Sequence, residues 1–314
     1  MIIVFFGSSE FATESLKALL NSDYYISCVV TQPDKQKGRH LHLATTAVKK
    51  IAQVSGLKIY QPQDINTPEA VDFLKRMKPD LFVVVAYGQI ISQNILDIPK
   101  LFSINAHASL LPKYRGAAQI NWALINGDKE TGVSIVQISL KMDAGPIILQ
   151  RKIEITQEDT VISLEEKLGR LAAMLLIESL ILVEKKEYRS IAQDESKATF
   201  APKLKKEDGL IKWDETAVQI HNLIRGCLGW PGAFTSYIGK RVKIFKAMAV
   251  ESIVQETKKT YGQIIEVAQG GIRVLTGKGD LIIEELQIEG KRRMTAGEFI
   301  SGHKISVGEK FCKK

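Results

Sequence analysis

Cysteine is scarce in this chain of 314 residues: Cys28, Cys227 and Cys312 are odd in number, widely spaced and without a Cys-x-x-Cys pair. A disulfide framework and a cysteine zinc site are therefore unsupported, and a reducing cytoplasm fits best. Long apolar runs are lacking as well. None approaches the roughly 20 residues needed to cross a bilayer, so membrane spanning is not expected. Met1 to Phe6 is too short for a signal-peptide core, has no basic leader, and reads as a first strand. No Gly-x-Ser-x-Gly context surrounds Ser8, Ser9 or Ser109, and no cysteine has a histidine nearby in sequence, which argues against a covalent nucleophile. The five histidines, at 40, 42, 107, 221 and 303, form no metal-ligand grouping beyond His40-x-His42, so no catalytic metal is expected. The glycines that would let a pyrophosphate approach a helix are missing after Gly7, which disfavours a nicotinamide cofactor.

What is present is ordinary globular material, 45% hydrophobic and 25% charged, in a length that exceeds one usual core and suggests two domains. The net charge of +8 is unevenly shared. Lys and Arg number 24 against 22 Asp and Glu in residues 1–203, but 19 against 13 in residues 204–314, so the second unit is the one suited to an anionic partner.

Short apolar runs at Met1–Phe6, Ile26–Val30, Leu81–Val85 and Phe102–Ile104 alternate with helical segments. One helix is predicted to open at Thr67, with Pro68 and Glu69 in its first turn. A longer one is predicted to be capped by Ser163 with Glu166, burying Leu164, Leu168, Leu171 and Leu175 on one stripe. Alternation of this kind predicts an α/β, Rossmann-like parallel sheet with its ligands beyond the carboxyl ends of the strands. The division expected is a first domain over residues 1–188, a polar connector over 189–208 and a second domain over 209–314. In the second, strand-like runs at Ala233–Tyr237, Arg241–Phe245, Gln263–Val267, Ile272–Leu275 and Leu281–Leu286 suggest a small OB-like β-barrel.

The chemistry concentrates in Asn105 to Gly116 and in Asp143-x-Gly145. An Asn at a strand end can aim its amide N–H at an oxygen that is gaining negative charge. His107, two residues on, projects from the same side of an extended strand and can reach the same atom. Asp143 can orient the imidazole or take a proton. Amide, imidazole and carboxylate together are the parts needed to move an acyl or formyl group directly onto an amine.

The Asn-x-His pair, followed at once by Ser109 to Gly116 and later by Asp143-x-Gly145, resembles the tetrahydrofolate-dependent formyltransferases. Thr31 to Asp34, Tyr60 to Pro62, Ala201 to Leu204, Ile224 to Gly226 and Trp230 to Ala233 extend the resemblance over nearly the whole chain, to the members that act on aminoacylated tRNA. It implies a 10-formyltetrahydrofolate donor lying against Ser109, Leu110, Leu111 and Pro112, and the α-amino group of methionyl initiator tRNA as acceptor. Asn105 and His107 would stabilise the oxyanion and Asp143 would align His107 and assist proton removal. Lys35, Lys37 and Arg39 match the family's tRNA-reading insertion, although His40 stands where Gly often follows the arginine. Lys240, Arg241, Lys243 and Lys246 would line a phosphate-facing groove. The nearest alternative is a formyltransferase acting on a nucleotide-linked amino sugar, and a catalytically silent RNA-binding protein is the reading from another class.

Overall fold

The four apolar runs read as strands are four neighbours in one sheet. The computed structural model describes residues 1–37, 42–252 and 260–312, which divide into two units. Unit 1 holds residues 1–119, 130–154 and 164–201, and unit 2 holds 120–129, 155–163 and 202–314.

In unit 1 a seven-stranded sheet runs in the order Ile147–Glu154, Glu130–Gln137, Phe102–His107, Leu81–Val85, Ile2–Gly7, Tyr25–Val30 and Ile59–Tyr60. The last five strands are mutually parallel. Glu130–Gln137 is antiparallel to both of its neighbours, Ile147–Glu154 and Phe102–His107. The expected parallel sheet accounts for five of the seven strands, and the antiparallel Glu130–Gln137 makes the whole a mixed sheet. The central strands are buried on both faces, with Val4, Phe6, Cys28, Val30 and Phe82 in one cluster and the Phe6 and Phe82 rings edge to face at 5.0 Å. Each such side chain contributes roughly 1.5–3 kcal/mol on burial.

Thr67 caps its helix as predicted, accepting from the Ala70 N–H at 3.3 Å with Pro68 in the first turn. The long helix begins at Val161, two residues earlier than its predicted cap. The reciprocal cap is Thr160 with Ser163: each hydroxyl accepts from the other's backbone N–H, at 3.3 and 3.0 Å. The leucine stripe is buried as expected.

Unit 2 is built on an antiparallel sheet ordered Ala233–Tyr237, Lys240–Val250, Asp280–Ile288, Gly271–Leu275 and Ile264–Ala268, with Met294–Thr295 added to Asp280–Ile288. All five predicted strands are present within a few residues of their expected limits. The two outer strands do not pair with each other among the described residues, and the tail bridges near both, at Ser236 with Cys312 and Gln263 with Lys310. Arg225, 7% exposed, ties the helix Ala217–Gly226 to the segment 156–159. Its guanidinium donates to the carbonyls of Thr156 at 2.7 Å and Asp159 at 3.1 Å. Asn121 likewise donates to the Gly226 carbonyl at 2.8 Å.

Candidate active site

Asn105 and His107 occupy the carboxyl end of Phe102–His107, where Asn105 is in register with Val84 on one side and Val136 on the other. Being two apart on a strand, they share a face. The Asn105 amide Nδ2 approaches Asp143 Oδ1 at 3.4 Å; because an ionised carboxylate only accepts, this contact orients the amide with its nitrogen toward the aspartate. His107 is 4% exposed. Its Nε2 lies 2.9 Å from the Tyr114 carbonyl, which also only accepts, so Nε2 carries a proton. Nδ1 then faces Asp143 Oδ1 at 3.6 Å and is the nitrogen left to gain or release a proton during a reaction.

Asp143 is delivered by the loop that follows Glu130–Gln137, in left-handed backbone at φ +49°. Its Oδ2 accepts from the Gly116 N–H at 2.9 Å. Two glycines make this approach possible. A Cβ on Gly116, at φ +124°, would stand 2.6 Å from the Ala201 carbonyl oxygen, and one on Gly145 would stand 1.7 Å from that of Gln137. These contacts give the Arg-Gly and Asp-x-Gly patterns a steric cause. Of six non-glycine residues with positive φ among those described, three belong here: Ala86, Tyr114 and Asp143. Left-handed backbone at such residues costs of order 1–3 kcal/mol each and persists where surrounding contacts fix it.

The three side chains open onto a cleft of about 550 Å³, a size that holds a small organic ligand. Val84, Ala86, Tyr87, Ile91, Val136 and Ile138 give it apolar walls, Asn105, His107 and Asp143 its polar end, and Ile90, Leu140 and Met142 an exposed apolar rim. Cys28 is not a competing nucleophile, since burial pushes its thiol up to about 12. Among the described residues no group of three His, Cys, Asp or Glu side chains has the geometry to hold a metal, and no helix is long and apolar enough to cross a membrane.

Comparison with known proteins decides the family. Residues 1–180 match the description "Formyl transferase" and residues 203–304 "Formyl transferase, C-terminal domain". The chain belongs to the formyl transferase family. It is 43% identical to a methionyl-tRNA formyltransferase of Acetivibrio thermocellus, covering 98% of this chain and 99% of that one. It is 42% identical to another from Geobacter sulfurreducens, covering 98% and 95%. Among solved structures, a sugar 3N-formyl transferase, WlaRD, matches with a TM-score of 0.67 at 20% identity, over 93% of this chain and 99% of the other. HypX from Aquifex aeolicus in complex with tetrahydrofolic acid matches with a TM-score of 0.63 at 17% identity. That match spans 98% of this chain but about half of HypX, 48%. At such identities these two structures speak to the fold alone.

Within this family fold, Ser109, Leu110, Leu111 and Pro112 are not among the residues that line the cleft. Ser109 is fully buried with its hydroxyl donating to the Lys113 carbonyl at 2.7 Å. The Leu111 N–H donates to Ser134 Oγ at 3.1 Å and the Leu111 carbonyl accepts from Gln150 at 2.9 Å; the Pro112 carbonyl accepts from the Thr199 N–H at 3.2 Å. Their polar groups are used to hold the turn after His107, and the walls come instead from residues 84–91 and 136–142.

Lys35 is exposed on the short strand Lys35–Lys37, paired with His42–Ala44. Lys37 shares that strand, and Arg39 lies outside the described residues. Lys240 and Arg241 are exposed and Lys243 half-buried at the start of Lys240–Val250, with the Arg241 guanidinium 4.8 Å above the Phe234 ring. Lys246 is ion-paired to Glu284 at 2.9 Å, which offsets its charge.

Several residues that sequence reasoning missed sit in the stretch read as a connector, and they hold Tyr114 and Arg115. Phe200–Ala201 pairs in parallel with Arg115–Gly116, and Thr199 Oγ1 accepts from the Tyr114 N–H at 2.9 Å. The Arg115 guanidinium, 1% exposed, donates to Gln193 Oε1 and to both Glu195 oxygens at 2.8–3.2 Å. Hydrogen bonds from Arg115 and then from Lys141 hold the Glu195 carboxyl down at about 2. Because that value is depressed, the pairing contributes above the unfolded carboxyl value of about 4.3 and is lost only as pH falls toward 2.

Proposed function

We propose that this protein transfers a formyl group from 10-formyltetrahydrofolate to the α-amino group of methionyl initiator tRNA. The observation that carries the reading is full-length similarity to methionyl-tRNA formyltransferases combined with an Asn105, His107 and Asp143 cluster at the end of an apolar cleft. The amine must be neutral to attack, so a proton has to leave its nitrogen as the new C–N bond forms. Asp143, acceptor-only and at the cleft surface, takes that proton directly or through a water. Asn105 N–H and a proton on His107 Nδ1 stabilise the oxygen that becomes negative as the amine adds. When the bond from the formyl carbon to the donor nitrogen breaks, the oxyanion collapses to the amide and the departing nitrogen is protonated. The apolar walls suit the ring system of the folate donor, with Ser109 to Pro112 fixing the turn that follows His107.

The basic surface of the second half, read as an OB-like module, takes the tRNA together with the basic sequence segment that carries Lys35, Lys37 and Arg39, in the cytoplasm. Lys246 contributes less because Glu284 neutralises it. Changing Lys240, Arg241 and Lys243 together to Ala is expected to raise KM for the tRNA while leaving KM for the folate unchanged. It should also lower the salt dependence of binding by roughly one per cation removed. A filter-binding series in salt checks this, and an unchanged slope removes Lys240, Arg241 and Lys243 from the interface.

The function itself is tested by formyl transfer from 10-formyltetrahydrofolate to methionyl initiator tRNA, beside an Asn105→Ala control and a UDP-linked amino sugar as rival acceptor. Transfer to tRNA that fails in the control supports substrate and site together. Turnover with the sugar alone keeps the chemistry and overturns the acceptor.

A further inference from the structure

We infer that Gln193 is a positioning residue for formyl transfer, clamping Asp143 in its left-handed conformation. The inference rests on the catalytic reading of Asp143 given above. Gln193 lies fifty residues from Asp143 in sequence, in a polar stretch with no periodicity, yet its amide is fully used. Nε2 donates to the carbonyls of Asp143 and Gly145, both at 2.7 Å. Oε1 accepts from the buried Arg115 guanidinium at 2.8 and 3.2 Å. Because Arg115 only donates and the two carbonyls only accept, the amide has one orientation that satisfies all three partners.

The bonded groups flank His107 from both sides. Arg115 follows Tyr114, whose carbonyl receives the Nε2–H of His107; Asp143 faces Nδ1 of the same ring. Tyr114 and Asp143 both stand at positive φ, +60° and +49°, a region uncommon for non-glycine residues and one that surrounding contacts must hold for the tyrosine. One side chain thus fixes the separation between the carbonyl that sets the imidazole's tautomer and the carboxylate that uses its other nitrogen. Without it, the Asp143 loop is free to relax toward ordinary backbone and to carry its carboxylate away from His107.

Two variants separate the donor and acceptor roles. Gln193→Glu keeps an acceptor for Arg115 but sets a carboxylate oxygen against two carbonyls; Gln193→Leu fills similar space with no polar group and leaves Arg115 paired to Glu195. Both are expected to lower kcat about tenfold or more, with KM for tRNA and for folate changed much less. The deciding comparison is a double-mutant cycle with Asp143→Ala. In that background the Gln193 changes should cost almost nothing further, because the carboxylate they position is already gone.

Equal losses in the presence and absence of the Asp143 carboxylate would overturn the inference, as would a rise in KM with kcat unaltered. Loss of the cooperative unfolding transition in both variants would assign the clamp to folding instead and overturn it too. If Asp143→Ala alone leaves turnover intact, it is the catalytic reading that fails, and the two failures are told apart.

Discussion

His107→Ala is expected to slow formyl transfer by about a hundredfold or more, with the fold retained. The ring does two things that no neighbour can replace. Its Nδ1 faces Asp143 Oδ1 at 3.6 Å and, in the proposed mechanism, would supply the cationic or donor partner for a developing oxyanion, where Asn105 would offer only a neutral N–H. Its Nε2–H satisfies the Tyr114 carbonyl at 2.9 Å, and in the alanine variant that carbonyl is left to water entering from the cleft. The loss should therefore fall on kcat in single-turnover transfer, with little change in KM for either substrate, since the ring lies at the polar end and not along the apolar walls. Asp143→Ala should behave alike, and a double variant should be only slightly worse than either alone because the two groups act as a unit. Near-normal single-turnover rates in the His107 variant would sink the mechanism.

Gly145→Ala should be nearly as damaging without removing any reactive group. The added Cβ would lie 1.7 Å from the Gln137 carbonyl oxygen, a backbone atom held in place by the sheet: the Gln137 N–H donates to Pro146 and the residue pairs with Ile104. The sheet cannot yield, so the loop must. Displacing the loop moves Asp143, two residues earlier, and breaks the carbonyl contact at Gly145. A shift of about 1 Å at a reacting group can cost on the order of a hundredfold in rate, and the overpacking about 1–3 kcal/mol of stability. Transfer assays paired with a denaturation midpoint check both numbers. Full activity with a lowered midpoint would mean that the loop tolerates displacement and that Asp143 is not placed by this contact.

Much of the parallel core was legible because strands buried on both faces are written as unbroken apolar runs, Leu81–Val85 being the clearest. The antiparallel pair was not. Glu130–Gln137 carries Gly132 and Ser134 in its middle, and Ile147–Glu154 is an edge strand whose Gln150 to Lys152 break any alternation. The long helix was placed two residues late because Glu166 made Ser163 look like a cap, whereas Thr160 and Ser163 satisfy each other directly. At the site, Asn105 and His107 could be paired by their spacing of two, and Asp143 by its glycine. Tyr114 could not be found in this way, since it acts through its carbonyl and nothing in a tyrosine side chain announces that. Gln193 and Arg115 were invisible for a different reason: their meaning lies in contacts across about eighty residues of sequence. Lys246 was correctly seen as basic, but its neutralisation by Glu284 depends on a strand register with two irregularities.

The two units are interleaved along the chain, and this separates the order of synthesis from the order of folding. Residues 120–129 and 155–163 emerge with the first half, yet they are counted in unit 2, and their hydrogen-bond partners include Gly226 and Arg225. Unit 1 in turn needs residues 164–201, so neither set of contacts closes when the first half of the chain has been made. The Asn121 amide is without its Gly226 acceptor until about a hundred further residues have followed, and the Thr156 carbonyl is without its Arg225 donor for about seventy. A nascent chain of this protein can close the contacts of unit 1 once residue 201 has been made, but must hold residues 120–129 and 155–163 without their unit 2 partners until residue 226 has followed, and chaperone demand during synthesis should peak before then.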